Sequence, residues 1–146
     1  MTEIAAFDPG VMTGIAAFDG KEFRSFQIEP RLYPHPHEAL FDTLSGMQPE
    51  TIIYEAFHFR QNMKGVVFTG VEYIGVIELF AQLNYIPVIV ITPSDGKGFW
   101  DDRKLKAIGV HNPGHVHGND AMRLILRHKM KDPLWMGPIL EQLKSL

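Results

Sequence analysis

The first thirty residues alternate between short apolar runs and turn residues, which is typical of β-strands joined by hairpins. Two similar apolar runs, residues 3–8 and 14–19, are each followed by a turn sequence, Pro-Gly after the first and a Gly after the second. Asp19 and Gly20 form an Asp-Gly pair between apolar runs, which is a strong hairpin signal. A third strand is therefore expected at residues 22–28, and the three strands together predict an antiparallel meander.

Beyond residue 30 the apolar positions change to helical spacing, interrupted by two further strand-like runs. A proline-rich stretch at residues 30–37 is expected to be a loop. The predicted elements after it are a helix at 38–47, a strand at 51–57, a long helix at 66–83, a strand at 87–91, a weakly patterned helix at 97–108 and a helix pair at 119–130 and 137–145. Antiparallel strands followed by alternating helices and strands predict an α/β fold with a mixed five-stranded sheet flanked by helices.

Composition limits the class of protein. The chain has 146 residues, 45% apolar and 21% charged, which predicts one soluble globular domain spanning residues 1–146. It contains no cysteine, so disulfide frameworks and thiolate-ligated metal sites are excluded. The acidic N-terminus and short first apolar run predict neither a signal peptide nor a membrane span. We therefore expect a cytoplasmic protein.

The charge pattern leaves two interpretations open. A formal net charge of −3 argues mildly against a protein that coats DNA. Basic residues are nevertheless clustered, and each cluster is either a solvated helix face or a phosphate-binding rim. The clusters are Lys97, Arg103, Lys104 and Lys106, and Arg123, Arg127, Lys129 and Lys131.

Three carboxylates and one imidazole are the candidate chemistry. Asp8 and Glu55 each stand at or near the end of a predicted buried strand, and His117 and Asp120 have the i, i+3 spacing that shares a helix face. If the fourth strand lies beside the first, Asp8 and Glu55 come close together and repel each other unless a cation is bound. Oxygen ligands favour Mg²⁺ or Mn²⁺.

Each of these residues also has a structural interpretation. Asp8 before Pro-Gly is a plausible turn cap, and Glu55 is a plausible partner in a strand-edge ion pair. His117 and Asp120 fit a helix cap and a first-turn acid equally well. Their conjunction, in the predicted order of elements, is what favours a shared metal site.

At this point the chain resembles the RuvC-type Holliday-junction resolvases, which have the ribonuclease H-like fold. The resemblance covers about residues 3–130 and rests on three motifs in order. These are Ala6-Phe7-Asp8-Pro9-Gly10 with Thr13-Gly14, then Ile53-Tyr54-Glu55, and finally His117-Gly118-Asn119-Asp120-Ala121, which is similar to the family's His-Ala-x-Asp-Ala. The predicted long helix with Gly70 and Gly75 also resembles the family's central helix.

The resemblance implies a homodimeric, Mg²⁺-dependent endonuclease that cuts four-way or related branched DNA. By that likeness Asp8, Glu55 and Asp120 bind metal ions, and His117 is a ligand or handles the nucleophilic water. Mn²⁺ is expected to substitute for Mg²⁺. The short chain is similar to viral members, so a bacterial cell or a virus-infected cell is the expected setting.

Candidate DNA contacts are more loosely defined. The family carries an aromatic residue shortly after its second motif, and either Phe57 or Phe59 could take that role, although both could instead be core or dimer contacts. The candidates are Phe57, His58, Phe59, Arg60, Lys64, Lys97 and Lys104. Two other functions remain open: a module of the same fold that binds junctions without cutting them, and an ATP-handling relative of the actin and sugar-kinase group.

Overall fold

A computed structural model describes residues 1–56, 68–92 and 98–146. Within these residues five strands form one sheet with the order β3-β2-β1-β4-β5. The strands are β1 (Thr2–Asp8), β2 (Thr13–Phe18), β3 (Phe23–Ile28), β4 (Pro49–Glu55) and β5 (Val88–Ile91). The first three are antiparallel neighbours, and β4 and β5 continue the sheet in parallel with β1. The predicted meander and mixed five-stranded sheet are confirmed.

Five α-helices cover the sheet in the described part of the chain. They are α1 (Pro36–Met47), α2 (Thr69–Leu83), α3 (Asp102–Ala107), α4 (Val116–Lys129) and α5 (Pro133–Leu143), and a 3₁₀ helix spans Pro30–Leu32. The prediction of a loop at residues 30–37 was therefore wrong, because this stretch contains the 3₁₀ helix and the start of α1. Helices α1 and α5 begin earlier than predicted because each starts at a proline, whose fixed φ suits the first helical position.

The two faces of the sheet bury separate apolar clusters. Side chains alternate along each strand, so Ala5 and Phe7 of β1 pack towards α1 and α2, while Ile4 and Ala6 pack towards α4. Helix α4 lies across β1, β2 and β3, and its apolar stripe supplies five of the thirteen buried residues in the cluster that contains Ile4 and Ala6. Trp100 is buried in the same cluster.

Two glycines allow the start of α4 to lie directly on the sheet. A Cβ atom placed on Gly14 of β2 would be 1.8 Å from the carbonyl oxygen of His117. A Cβ atom on Gly118 would be 2.9 Å from the carbonyl oxygen of Phe26 in β3. Neither distance is possible for a real side chain, so both positions need glycine for close backbone approach. This contact fixes where His117 lies relative to β1 and β2.

Candidate metal centre

The carboxyl ends of β1 and β4 lie side by side. Phe7 pairs with Tyr54 in the parallel ladder, which places Asp8 and Glu55, the next residues of the two strands, next to each other at the sheet's edge. Because side chains alternate, and Ala6 and Ile53 face α4, the side chains of Asp8 and Glu55 project towards α4 as well. The predicted adjacency of the two strands is confirmed.

Helix α4 brings the other two candidate residues to the same place. It begins at Val116, three residues earlier than predicted, so His117 and Asp120 both belong to the helix and share one face. The Nδ1 atom of His117 lies 3.4 Å from Oδ2 of Asp8. One ligand atom from each of Asp8, His117 and Asp120 lies within 4.8 Å of the other two.

The electrostatics of Asp8 indicate an uncompensated negative charge. Burial, followed by the charge of Asp120, raises the pKa of Asp8 to about 6. The hydrogen bond from His117 opposes this shift, and the charge of Glu55 adds to it. Two carboxylates acting on a third in a partly desolvated site disfavour its ionised form, and a bound cation would reverse that preference.

Glu55 is close enough for its charge to act on Asp8, but it lies outside the group of three whose ligand atoms are within 4.8 Å. Its side chain is half-buried at the end of β4. A role for Glu55 as a metal ligand therefore stays a prediction.

The donor set fits a hard divalent cation. Carboxylate oxygens with one imidazole nitrogen suit Mg²⁺ or Mn²⁺. A single six-coordinate Mg²⁺ allows about 4.2 Å between opposite ligand atoms, since each metal–oxygen bond is about 2.1 Å. The group of Asp8, His117 and Asp120, with atoms up to 4.8 Å apart, is slightly wider than this and would close around one ion with small side-chain rotations.

Arg123 is a site residue that the sequence analysis missed, because it was grouped with surface basic residues. Its Nη1 atom donates to Oδ1 of Asp120 at 2.6 Å. The same guanidinium donates to the carboxylate of Asp102 at the start of α3 and to the carbonyl oxygen of Trp100. Arg123 therefore compensates Asp120 and fixes the direction of its carboxylate.

A pair of asparagines, also missed, holds the start of α4. Asn119 is 4% exposed, and its side chain accepts from the backbone N–H of Asn112 at 2.8 Å and donates to the carbonyl of Asn112 at 3.0 Å. The side chain of Asn112 donates in turn to the carbonyl of Ser25 in β3 at 2.8 Å. The segment before α4 is thus tied to the sheet beside His117.

Of the seven candidate DNA contacts, Lys104 lies within the described residues. Phe57, His58, Phe59, Arg60, Lys64 and Lys97 lie outside the described residues. Lys104 is on α3, where its ammonium donates to the carbonyl of Phe99 at 2.7 Å and lies 4.1 Å from the centre of the Phe99 ring. These contacts hold Lys104 against its own domain, and its role towards DNA stays a prediction.

Asp8 and His117 of the candidate metal centre line a cavity of about 470 Å³. The loop 9–12 between β1 and β2 lines this cavity too. Glu29 and Arg31, at the connection between β3 and α1, line it as well. A substrate group could therefore reach Asp8 and His117 from solvent.

Comparisons with solved structures identify the fold. The RuvC protein of Thermus thermophilus, in complex with a Holliday-junction substrate, aligns over 94% of this chain and 97% of its own, with 16% identity and a TM-score of 0.58. A second structure of Thermus thermophilus RuvC aligns over 92% and 96%, with 20% identity and a TM-score of 0.59. The Fowlpox virus resolvase, in complex with Holliday-junction DNA, aligns over 88% and 99%, with 15% identity and a TM-score of 0.62.

The chain therefore has the RuvC-type resolvase fold, a ribonuclease H-like fold, as the sequence motifs predicted. No protein-family model matches the chain, and no curated protein sequence does. Across the described ranges 1–56, 68–92 and 98–146, no helix is both long and apolar enough to cross a membrane.

Proposed function

We propose that this protein is a single-domain, metal-dependent endonuclease that cuts four-way DNA junctions or related branched DNA in the cytoplasm. The observation that carries the proposal is the convergence of Asp8, His117 and Asp120 on one face of a RuvC-type fold. The solved structures of that fold with junction DNA, from Thermus thermophilus and Fowlpox virus, support the choice of substrate. Mg²⁺ is the proposed ion, and Mn²⁺ is expected to replace it.

The side chains of the site have separable roles in phosphodiester hydrolysis. Asp8 and Asp120 would hold the ions, with Glu55 as the proposed further ligand, and bound ions would activate a water and stabilise the leaving 3′ oxygen. His117, hydrogen-bonded to Asp8, either binds metal as a neutral imidazole or accepts a proton from the attacking water. Arg123 keeps the carboxylate of Asp120 aimed at the site.

A homodimer would match the two-fold symmetry of a four-way junction and allow paired cuts. The outer face of α2 supports this part of the proposal, since Val71, Gly75, Leu79 and Leu83 recur at helical spacing and are all exposed. A helix face of this composition is expected to be covered by another apolar surface. Leu79→Glu should shift the protein from dimer to monomer in light scattering, and a wild type that is monomeric at every concentration would refute the dimer.

The nuclease proposal is tested with a labelled four-way junction in Mg²⁺. Wild type should nick the junction in preference to linear duplex of the same sequence. Asp8→Asn and Asp120→Asn should each lower the rate by at least about a hundredfold, since each removes a metal ligand. Asp42→Asn, an exposed residue of α1 with the same change in charge, is the matched control and should cut normally.

Glu55→Gln in the same assay tests the remaining carboxylate. A loss similar to that of Asp8→Asn would support Glu55 as a ligand, and normal cutting would remove it from the site. Tight junction binding without any nicking by wild type would favour a non-cleaving binding module. Undiminished nicking by Asp8→Asn would refute the proposed metal centre.

A further inference from the structure

The cavity beside the candidate metal centre is lined by an arginine side chain that has no role in the proposed function so far. Among the described residues that line it, Arg31 is the one with a permanent positive charge. It faces the same open space as Asp8 and His117. The ion pair of Arg31 is with Glu29.

The backbone around Arg31 is held firmly. Arg31 is the middle residue of the 3₁₀ helix, which Pro30 anchors by its burial and fixed φ. The backbone N–H of Leu32 donates to Glu29 at 3.0 Å, and that of Tyr33 donates to Pro30 at 3.0 Å. The backbone position from which the Arg31 side chain extends is therefore fixed before any ligand binds.

The ion pair with Glu29 leaves the outer end of the guanidinium available. Nε of Arg31 donates to Oε1 of Glu29, and the two Nη groups carry four further N–H donors. The side chain of Glu29 is 19% exposed and that of Arg31 is 66% exposed. Because the guanidinium end of the pair faces solvent, the pair adds little stability, and its main effect is to orient the guanidinium.

We propose that Arg31 binds a backbone phosphate of the DNA strand that enters the metal centre, next to the phosphate that is cut. Two parallel N–H donors of a guanidinium match two oxygens of a phosphate. Such a contact positions the strand without reading its sequence. This inference rests on the proposed nuclease function and adds a residue that holds the substrate.

The local charge explains why a directed contact is needed here. The site has three carboxylates, and each repels a DNA phosphate until metal is bound. The Glu29–Arg31 pair is itself close to neutral, so Arg31 cannot act as a general positive field. Its contribution depends on the direction of its Nη groups, which Glu29 sets.

The experiment compares two arginines of the same kind. Arg24 also pairs with a glutamate two residues before it, Glu22, and is 72% exposed. It pairs with Ala17 in the β2–β3 ladder, whereas the end of β3 near the site is at Gln27, which pairs with Gly14. Arg31→Gln and Arg24→Gln therefore make the same change in charge, near to and away from the cavity.

Junction binding is measured over a range of salt with Ca²⁺ in place of Mg²⁺, and the junction is checked on a gel to be uncut. Cutting is measured in Mg²⁺. Arg31→Gln should weaken binding about tenfold, as expected for loss of a charge-assisted hydrogen bond. The slope of log K against log salt should fall by about 0.9, the value for one phosphate contact. KM should rise while kcat stays within about threefold, and Arg24→Gln should match wild type in all these measurements.

Arg31→Lys and Glu29→Gln test the geometry. Lysine keeps the charge but lacks the paired donors, so it should recover the salt slope without recovering full affinity. Glu29→Gln should weaken binding if orientation matters, and stronger binding would show that bulk charge alone acts. If Arg31→Gln behaves like Arg24→Gln, the inference is overturned although the nuclease proposal stands. If wild type neither binds nor cuts the junction, the proposed function itself fails.

Discussion

Replacing Gly14 with alanine should displace the start of α4 and thereby weaken metal binding at the candidate metal centre. Gly14 itself contributes no ligand to that site. The added Cβ would lie 1.8 Å from the carbonyl oxygen of His117 and 2.9 Å from the backbone nitrogen of Gly118. All of the atoms it meets belong to backbone, so no side-chain rotation relieves the clash. Because Gly14 is not among the glycines with positive φ, the effect is steric rather than conformational.

The size of the effect follows from this distance. A carbon and a carbonyl oxygen need a separation of about 3.3 Å, so the first turn of α4 must retreat by about 1.5 Å. Overpacking of a core against backbone costs about 3 kcal/mol, the upper end of the usual range. For a domain of this size that cost lowers Tm by about 10 °C. A displacement of about 1 Å at a reacting group can lower the rate about a hundredfold.

The assay separates stability from site geometry. Gly14→Ala is melted in EDTA to measure the loss of Tm, and Mn²⁺ binding is then measured by calorimetry well below the lowered Tm. Gly46→Ala in α1 is the matched control, because nothing lies within 4 Å of its Cβ position. Alanine inside a helix should stabilise that variant by about 0.5–1 kcal/mol. Its Mn²⁺ affinity should equal that of wild type.

The reasoning would be refuted by a Gly14→Ala protein that melts within about 2 °C of wild type, since a 3 kcal/mol cost predicts several times that shift. A stable variant that still binds Mn²⁺ normally would show that α4 does not lie where the structure has it. A destabilised variant with normal Mn²⁺ affinity would show that the displacement spares His117, and the proposed link between the glycine contact and the site would fail.

The charges of the site lead to four further predictions. Burial and the neighbouring carboxylates raise the pKa of Asp8 to about 6 in the folded protein, from 3.8 for an unperturbed aspartate, so ionisation of Asp8 opposes folding. Melts in EDTA should therefore show a stability contribution that is complete below pH 3.8 and lost as the pH rises through 6, and Asp8→Asn should remove this dependence. Mn²⁺ affinity should have the opposite trend, falling as protons compete below about pH 6. Arg123→Met should cost about 1–3 kcal/mol in urea denaturation, because it leaves the half-buried carboxylate of Asp120 and the carbonyl of Trp100 without their donor. Asp102→Asn should cost less, since the side chain of Asp102 is 61% exposed.

The strands could be predicted because their signals are local. At the Asp19-Gly20 turn, Oδ1 of Asp19 accepts from the backbone N–H groups of Lys21 and Glu22, and Gly20 has φ of +94°. These preferences belong to neighbouring residues and need no knowledge of the fold. The starts of α1 and α5 were misplaced because proline was weighted as a helix breaker, whereas at the first helical position it has no hydrogen bond to lose.

The site was predictable only in part, because some of its contacts are local in sequence and others depend on how the helices pack. Strand ends and i, i+3 spacing are visible in a sequence, and they led to Asp8, Glu55, His117 and Asp120. The choice of partner for a long side chain depends on which helix packs beside it. Arg123 follows Asp120 at i, i+3 on α4, so that ion pair could have been read from the sequence. Arg123 also binds Asp102 because α3 packs beside α4, and nothing in the spacing of the sequence records that second contact.

The distribution of charge around the site indicates where a cation stabilises it most. Asp120 already has Arg123 at 2.6 Å. Among the residues that the structure describes, the ion-pair partner of Asp8 is His117, at 3.4 Å, and Asp8 carries the repulsion of both Asp120 and Glu55. The metal-free protein therefore retains an unfavourable interaction at Asp8 that a divalent ion would remove. Since α4 is fixed on β2 by glycine contact, Asp8 and Asp120 cannot separate to relieve this repulsion, and the same rigidity that costs stability without metal keeps the ligands in place to bind it.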